Sequence, residues 1–276
     1  MKMNKETLLL CVASLFLISS SLFYNVCLAT IDNAEVEDES PFTYELGSEK
    51  GPEKWGNINP QWEVCQTGKF QSPIDLTSSR VSVLRQDDLW LRSYKPAIGV
   101  IKNRGHDIML SWKEDVGKIT INGSDYKLVQ CHWHSPSEHT VNGTRFVMEL
   151  HMVHTNPQGK IAVIGVLYRF GVPDPFLSRL LNGIRSVDKE EINMGIVDPR
   201  HIRYLSRKFY RYVGSLTVPP CTEGVIWTVV KRVNTVSPAQ VRALREAVHD
   251  GFETNARPIQ HQQGRPLRYY EPYPEQ

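Results

Sequence analysis

Gln130–His154 reads QCHWHSPSEHTVNGTRFVMELHMVH and carries five of the nine histidines, two carboxylates and one Asn-Gly pair. Val129–Ser135 is expected to be a strand. Its side chains then alternate, so Gln130, His132 and His134 share one face while Cys131 and Trp133 share the other. Between Arg145 and His154, Phe146, Met148, Leu150 and Met152 form an apolar row, with Val147, Glu149, His151 and Val153 opposite. That period of two marks a second strand. Asn142-Gly143 is the preferred type I′ pair for a two-residue hairpin turn. With it, positions summing to 285 face each other, which sets His134 opposite His151 and His132 opposite Val153. Pro136 is placed to shift this register without separating the strands.

Three imidazoles thus converge on one patch of sheet. Three neutral imidazoles with an open fourth position describe a catalytic zinc site, whereas a structural site is closed by a fourth side chain, usually Cys. Cys131 alternates away from the His face, which leaves the fourth position to water. Glu149 lies two residues before His151 on the same face and is placed to accept its free ring N–H, as Gln130 is for His132. His139 and His154 fall outside this face and read as structural or surface residues.

The remainder of the chain frames that patch. Residues 1–29 open with Lys2 and Lys5, run apolar from Leu8 to Phe23 and end Cys27-Leu28-Ala29, the pattern of a secretory signal peptide. Ser19–Ser21 interrupts the run, against a membrane anchor, and no later stretch is long or apolar enough to span a bilayer. Removal of the segment leaves 247 residues with 30 basic and 29 acidic side chains. Near-neutrality argues against nucleic acid or an anionic membrane as partner, and the length suits one domain. Residues 30–43 are acidic and polar, an expected flexible leader before a single domain over 44–276.

Cys65, Cys131 and Cys221 remain after cleavage, so an oxidising route favours one disulfide from three pairings. Asn122-Gly123-Ser124 and Asn142-Gly143-Thr144 are both N-x-[ST] sequons at apparent hairpin turns, hence candidate glycosylation sites. Val100–Trp112 reads as strand, turn and strand, and Lys160–Phe170 as another β-rich run. Asp174-Pro175 and the capping box Ser237-Pro238-Ala239-Gln240 each start a helix. Many short β-rich runs joined by Gly, Pro and Asn turns, with two clear helices, predict a mainly β (α+β) fold: an antiparallel sheet with peripheral helices.

The segments QCHWHSPSEHT, ELHMVH and GSLTVPPCTEGVIW, in this order and spacing, resemble the metal-binding and active-site segments of α-class carbonic anhydrases of plant-like secretory type. The likeness runs from about Tyr44 to Pro266. It implies a large twisted, mostly antiparallel central sheet of about ten strands and a Cys65–Cys221 bridge closing a loop of roughly 156 residues. It also implies Zn2+ on His132, His134 and His151, with zinc-bound hydroxide attacking carbon dioxide to give bicarbonate and a proton. Val153, Val163, Leu216 and Trp227 match the apolar substrate recess, and Tyr44 the mouth of the site. Thr217 matches the gatekeeper threonine that donates to a buried glutamate, here Glu138, and Val218 stands where many members carry threonine. His106 matches the proton-shuttle histidine, since an unperturbed imidazole titrating near 6.5 suits relay to buffer. Arg104, Asp107 and Met109 depart from the polar lining of well-known members. The implied location is the secretory pathway and extracellular space, with a chloroplast reached by the secretory route as alternative. The implied rival role is a catalytically weak storage or binding protein.

Overall fold

Two Asn-Gly turns set two tight hairpins, one in the main sheet and one in a small separate three-stranded sheet. Asn122 and Asn142 both have φ 49°, and Gly123 and Gly143 both have φ 76°, the left-handed pair a type I′ turn requires. The structure, a computed structural model, describes residues 42–77, 81–85, 91–204 and 206–272. The expected signal segment 1–29 and the leader up to residue 41 lie outside these. Phe42, at the expected leader's end, is packed into the fold at 1% exposure.

Ten strands follow one path across the main sheet: Val81–Arg85 (β1), Ala97–Asn103 (β2), Ile108–Trp112 (β3), Ser124–His134 (β4), Met148–Thr155 (β5), Ile161–Phe170 (β6), Ile192–Val197 (β7), Phe209–Ser215 (β8), Glu223–Val230 (β9) and Leu267–Glu271 (β10). Their spatial order is β7-β2-β3-β4-β5-β6-β9-β8-β10-β1, and three short strands attached to the path bring the sheet to 13. Every pairing on the path is antiparallel except β6 with β9 and β10 with β1. The mostly antiparallel expectation therefore holds.

Helix α1, Pro175–Ser186, starts where Asp174 accepts from the Leu177 N–H. Helix α2, Pro238–Ala247, starts at the reciprocal Ser237–Gln240 capping box. Their apolar stripes, Phe176, Leu177, Leu180 and Ile184 on α1 and Val241 and Leu244 on α2, pack with Cys131, Trp133, Leu150 and Met152 from one face of the sheet. The opposite face carries Val153, Val163 and Trp227. Alternation thus spends one row of β4 and β5 on the core and leaves the other row for the histidines.

The register differs from the simple hairpin expectation. At the Asn-Gly turn the pairs are Thr140 with Arg145 and Val141 with Thr144, which do sum to 285. In the long ladder, however, His132 faces His151, His134 faces Glu149 and Gln130 faces Val153. The segment between His134 and Thr140 holds two more residues than the segment facing it. Pro136 has no amide hydrogen to pair, and the Glu138 and His139 amides donate to the Glu149 carboxylate instead of to a strand. Because the slip is even, no side chain changes face.

Candidate active site

β4 presents His132 and His134, β5 presents His151, and all three rings are at most 2% exposed. Ring centroids lie 5.1 Å apart for His132–His134, 5.2 Å for His132–His151 and 4.6 Å for His134–His151. One ring nitrogen from each falls within 4.8 Å of the other two. Two of the remaining nitrogens are tied to oxygen acceptors, His132 Nδ1 to Gln130 Oε1 at 2.9 Å and His134 Nδ1 to the Asn255 carbonyl at 2.7 Å, whereas His151 Nε2 is near Glu149 without hydrogen-bond geometry. His151 Nε2 lies 3.1 Å from Glu149 Oε1. A neutral imidazole that donates from one nitrogen keeps a lone pair on the other. Those lone pairs belong to Nε2 of His132 and His134.

Electrostatics favour uncharged rings at two of the three positions. Burial pushes His132 well below the ordinary imidazole range and lowers His151 as well. Burial is the largest influence on His134 and opposes its charge, but the Glu138, Asp107 and Glu149 carboxylates and the Asn255 carbonyl together outweigh it and raise that ring. Glu138 Oε2 sits 3.7 Å from His134 Nε2 and 4.0 Å from His151 Nδ1. Among the described residues neither His134 Nε2 nor Glu138 Oε2 has a hydrogen-bond partner, although both are buried. Glu138 Oε1 accepts from the Arg257 amide at 2.9 Å.

Glu149 is a hub that periodicity only half revealed. Its Oε2 accepts the Glu138 and His139 amides at 2.9 and 2.8 Å, and its Oε1 meets His139 Nδ1 at 2.7 Å. His139 Nε2 meets the Tyr212 hydroxyl at 2.7 Å, which meets Ser72 Oγ at 2.8 Å. Burial disfavours a charged Glu149, yet His139 and His151 hold its carboxyl well below the usual range. Gly165, paired with His151, makes this possible: a Cβ there would stand 2.8 Å from Glu149 Oε1. His139 is therefore structural and fully buried, not a surface residue. So is His154, whose Nε2 meets the Tyr94 hydroxyl at 2.6 Å and whose burial pulls it down to about 4.

The apolar residues singled out from the sequence lie together. Val153 pairs with Val163 and Val163 with Trp227, and with Leu216 they form part of one cluster, each at most 3% exposed. The Trp227 ring lies 4.8 Å from the His151 ring, and its Nε1 donates to the Ser215 carbonyl at 2.8 Å. Thr217 is 4% exposed and Val218 3% exposed. The segment holding them is pinned by the Cys65–Cys221 disulfide, S–S 2.03 Å, which settles the three-way pairing. Cys131 keeps a buried free thiol that burial pushes up.

His106 occupies the turn between β2 and β3 and is fully buried. Its ring lies 5.4 Å from Phe42, its Nδ1 3.1 Å from the Arg104 carbonyl and its Nε2 3.7 Å from Asp107 Oδ2. Arg104 and Asp107 close the turn with a bidentate ion pair at 2.8 and 2.5 Å. Burial opposes a charged Asp107, but Arg104 holds its carboxyl far below the usual range. Asp107→Asn leaves a buried guanidinium uncompensated and is expected to cost about 3 kcal/mol at neutral pH. A depressed pKa contributes stability above the unfolded value near 3.9 and loses it as pH falls. Urea melts at pH 7 and pH 3 should therefore show a wide gap between wild type and variant at pH 7 that narrows at pH 3.

A eukaryotic-type carbonic anhydrase family model matches residues 50–271. Alpha carbonic anhydrase 4 of Arabidopsis thaliana is 66% identical over 240 residues, 87% of this chain and 90% of that protein. Alpha carbonic anhydrase 6 of the same plant is 63% identical over 72% of this chain and 76% of its own. Among solved structures, dioscorin complexed with ascorbate superposes with TM-score 0.82 at 43% identity, covering 85% of this chain and 99% of that one. The α-carbonic anhydrase of Thermovibrio ammonificans, in complex with sulfanilamide, gives TM-score 0.76 at 32% identity, covering 82% and 98%. With this match over most of its length, the chain belongs to the plant-type α-class carbonic anhydrases and is an enzyme of that family.

Proposed function

We propose that His132, His134 and His151 hold Zn2+ and that the site hydrates carbon dioxide reversibly to bicarbonate and a proton. The observation that carries this reading is the orphaned His134 Nε2, buried without a hydrogen-bond partner where three rings converge. A buried imidazole nitrogen left unmatched is costly, and a cation held by it together with the neighbouring rings would remove the cost. Zinc held this way acidifies bound water to near neutral pH.

The chain's own residues supply the rest. Gln130 and the Asn255 carbonyl fix the tautomers of His132 and His134, and the Glu149 carboxylate lies beside His151. Glu138 Oε2, lacking a partner, is the acceptor assigned to the Thr217 hydroxyl. Thr217 then keeps its lone pairs for the proton of the attacking oxygen and so orients that nucleophile. Val153, Val163, Leu216 and Trp227 offer an uncharged linear substrate an apolar wall beside it, while Val218 packs in the neighbouring cluster with Tyr44 and Trp55. His106, fully buried in the turn that Arg104 and Asp107 fix, is the group assigned to take up the released proton.

Residues 1–29 direct the chain into the secretory pathway under this reading, with the extracellular space as destination and a chloroplast reached by the same route as the alternative. The formed disulfide suits that oxidising passage. Asn122 and Asn142 are exposed at their turns, open to glycosylation. No helix among the described residues is long and apolar enough to cross a membrane.

The test is stopped-flow carbon dioxide hydration by the mature protein, with zinc quantified on the same sample. Rapid hydration at about one zinc per chain is expected. A competing role in storage or small-molecule binding draws on the likeness to dioscorin, described in complex with ascorbate. Little zinc in folded protein would favour that role, and full zinc without hydration would sink the catalytic reading.

A further inference from the structure

A second site lies outside the histidine cluster, where the C-terminal end of β6 meets the start of α1. A polar cavity of about 310 Å³ is lined there by Arg169, Arg203 and Arg232, with Asp174, Asn234 and Thr235 among its other walls. The three arginines come from different parts of the chain. Arg169 is near the end of β6 and pairs with Thr235 on the short strand Asn234–Val236, Arg232 precedes that strand, and Arg203 is placed by an Asn234 side chain that donates to its carbonyl. All three are exposed.

Asp174 attracts Arg203 across the cavity, one carboxylate against three guanidiniums. Among the described residues none of these guanidinium groups makes a hydrogen bond or ion pair, unlike Arg104, Arg200, Arg257 and Arg265. Asp174 is the acidic group on the wall, but its Oδ1 is engaged by the Leu177 amide as the cap of α1. The cavity therefore carries a surplus of positive charge on planar donors suited to forked contacts with tetrahedral oxyanions. It is several times larger than one phosphate group, which leaves room for a small organic body attached to it.

We propose that this cavity binds a phosphoryl group, either as free phosphate or as the phosphomonoester of a small polar molecule, at a site separate from the hydration centre. Three guanidiniums lining one cavity recognise a dianion better than a monoanion, since each can add a charge-assisted contact. Chloride and bicarbonate are accordingly weak competitors.

The test is isothermal titration of the zinc-loaded mature protein with inorganic phosphate and, separately, with glucose 6-phosphate, at ionic strength matched with sodium chloride. Saturable binding at one site per chain is expected, weakened at least about tenfold in Arg232→Gln and again in Arg169→Gln/Arg232→Gln. Equal affinity for both probes identifies the phosphoryl group as the whole of what is recognised, and tighter binding of the ester identifies the larger ligand. Both variants replace exposed side chains, so their melting temperature and carbon dioxide hydration should match wild type. Absence of saturable binding by either probe, or affinity unchanged in the double variant, would overturn the proposal.

Discussion

His132→Ala is expected to release zinc and to lower carbon dioxide hydration by more than about a thousandfold, because two imidazoles and water do not hold zinc as three do. The fold should survive. His132 lies near the end of β4, two residues after Gln130, and the ladder that carries it is held by backbone bonds on both sides, to β3 and to β5. Removing the ring also relieves some electrostatic crowding, since His134 and His151 each disfavour a charge on it. Circular dichroism and a melting curve separate loss of metal from loss of fold. Zinc content near zero with a native spectrum and no hydration is the expected combination. Retention of full zinc by the variant would mean that the metal is bound elsewhere, with the His139–Glu149–His151 group the place to look.

The histidine face was legible from sequence because it depends on parity alone. A period of two assigns His132, His134, Glu149 and His151 to one side whatever the register, and the actual slip of two residues left that assignment intact. The same logic found Gln130 behind His132. The pairing itself was not legible, because it is set by where the Glu138 and His139 amides find an acceptor, and that acceptor is a side chain on the other strand. Residues that act across long sequence gaps left no periodic signal. Asn255 reaches His134 across 121 residues and Tyr212 reaches His139 across 73. Gly165 could have been noticed as a glycine inside an apolar strand, which often marks a close approach. His106 was legible as a residue but not in its burial, which follows from the tilted Phe42 ring packed against it and from an ion pair across its own turn.

Loss of the Cys65–Cys221 bridge should give the largest stability change of any single covalent edit. The bridge spans 156 residues, and the chain-entropy model assigns such a loop about 5 kcal/mol, an upper-end figure. For a domain of this size that corresponds to a melting temperature lower by roughly 10–20 °C. Both ends stay anchored without the bond: Arg257 Nη2 donates to the Cys65 carbonyl at 2.8 Å, and Gln71 Nε2 to the Cys221 carbonyl at 3.1 Å. The two cysteines also share an apolar cluster with Trp55, Trp62 and Val218. The loss should therefore act on the unfolded chain more than on the native site. In Cys65→Ser/Cys221→Ser, hydration at 25 °C should stay within a fewfold of wild type while the melting temperature drops. Replacing both cysteines avoids a new partner for Cys131, whose thiol is buried and resists ionisation. An unchanged melting temperature would show that the local anchors, not loop closure, hold the Thr217 segment. A large fall in hydration at 25 °C with zinc retained would show instead that the bridge sets the position of Thr217, since the three histidines are fixed by β4 and β5 without it.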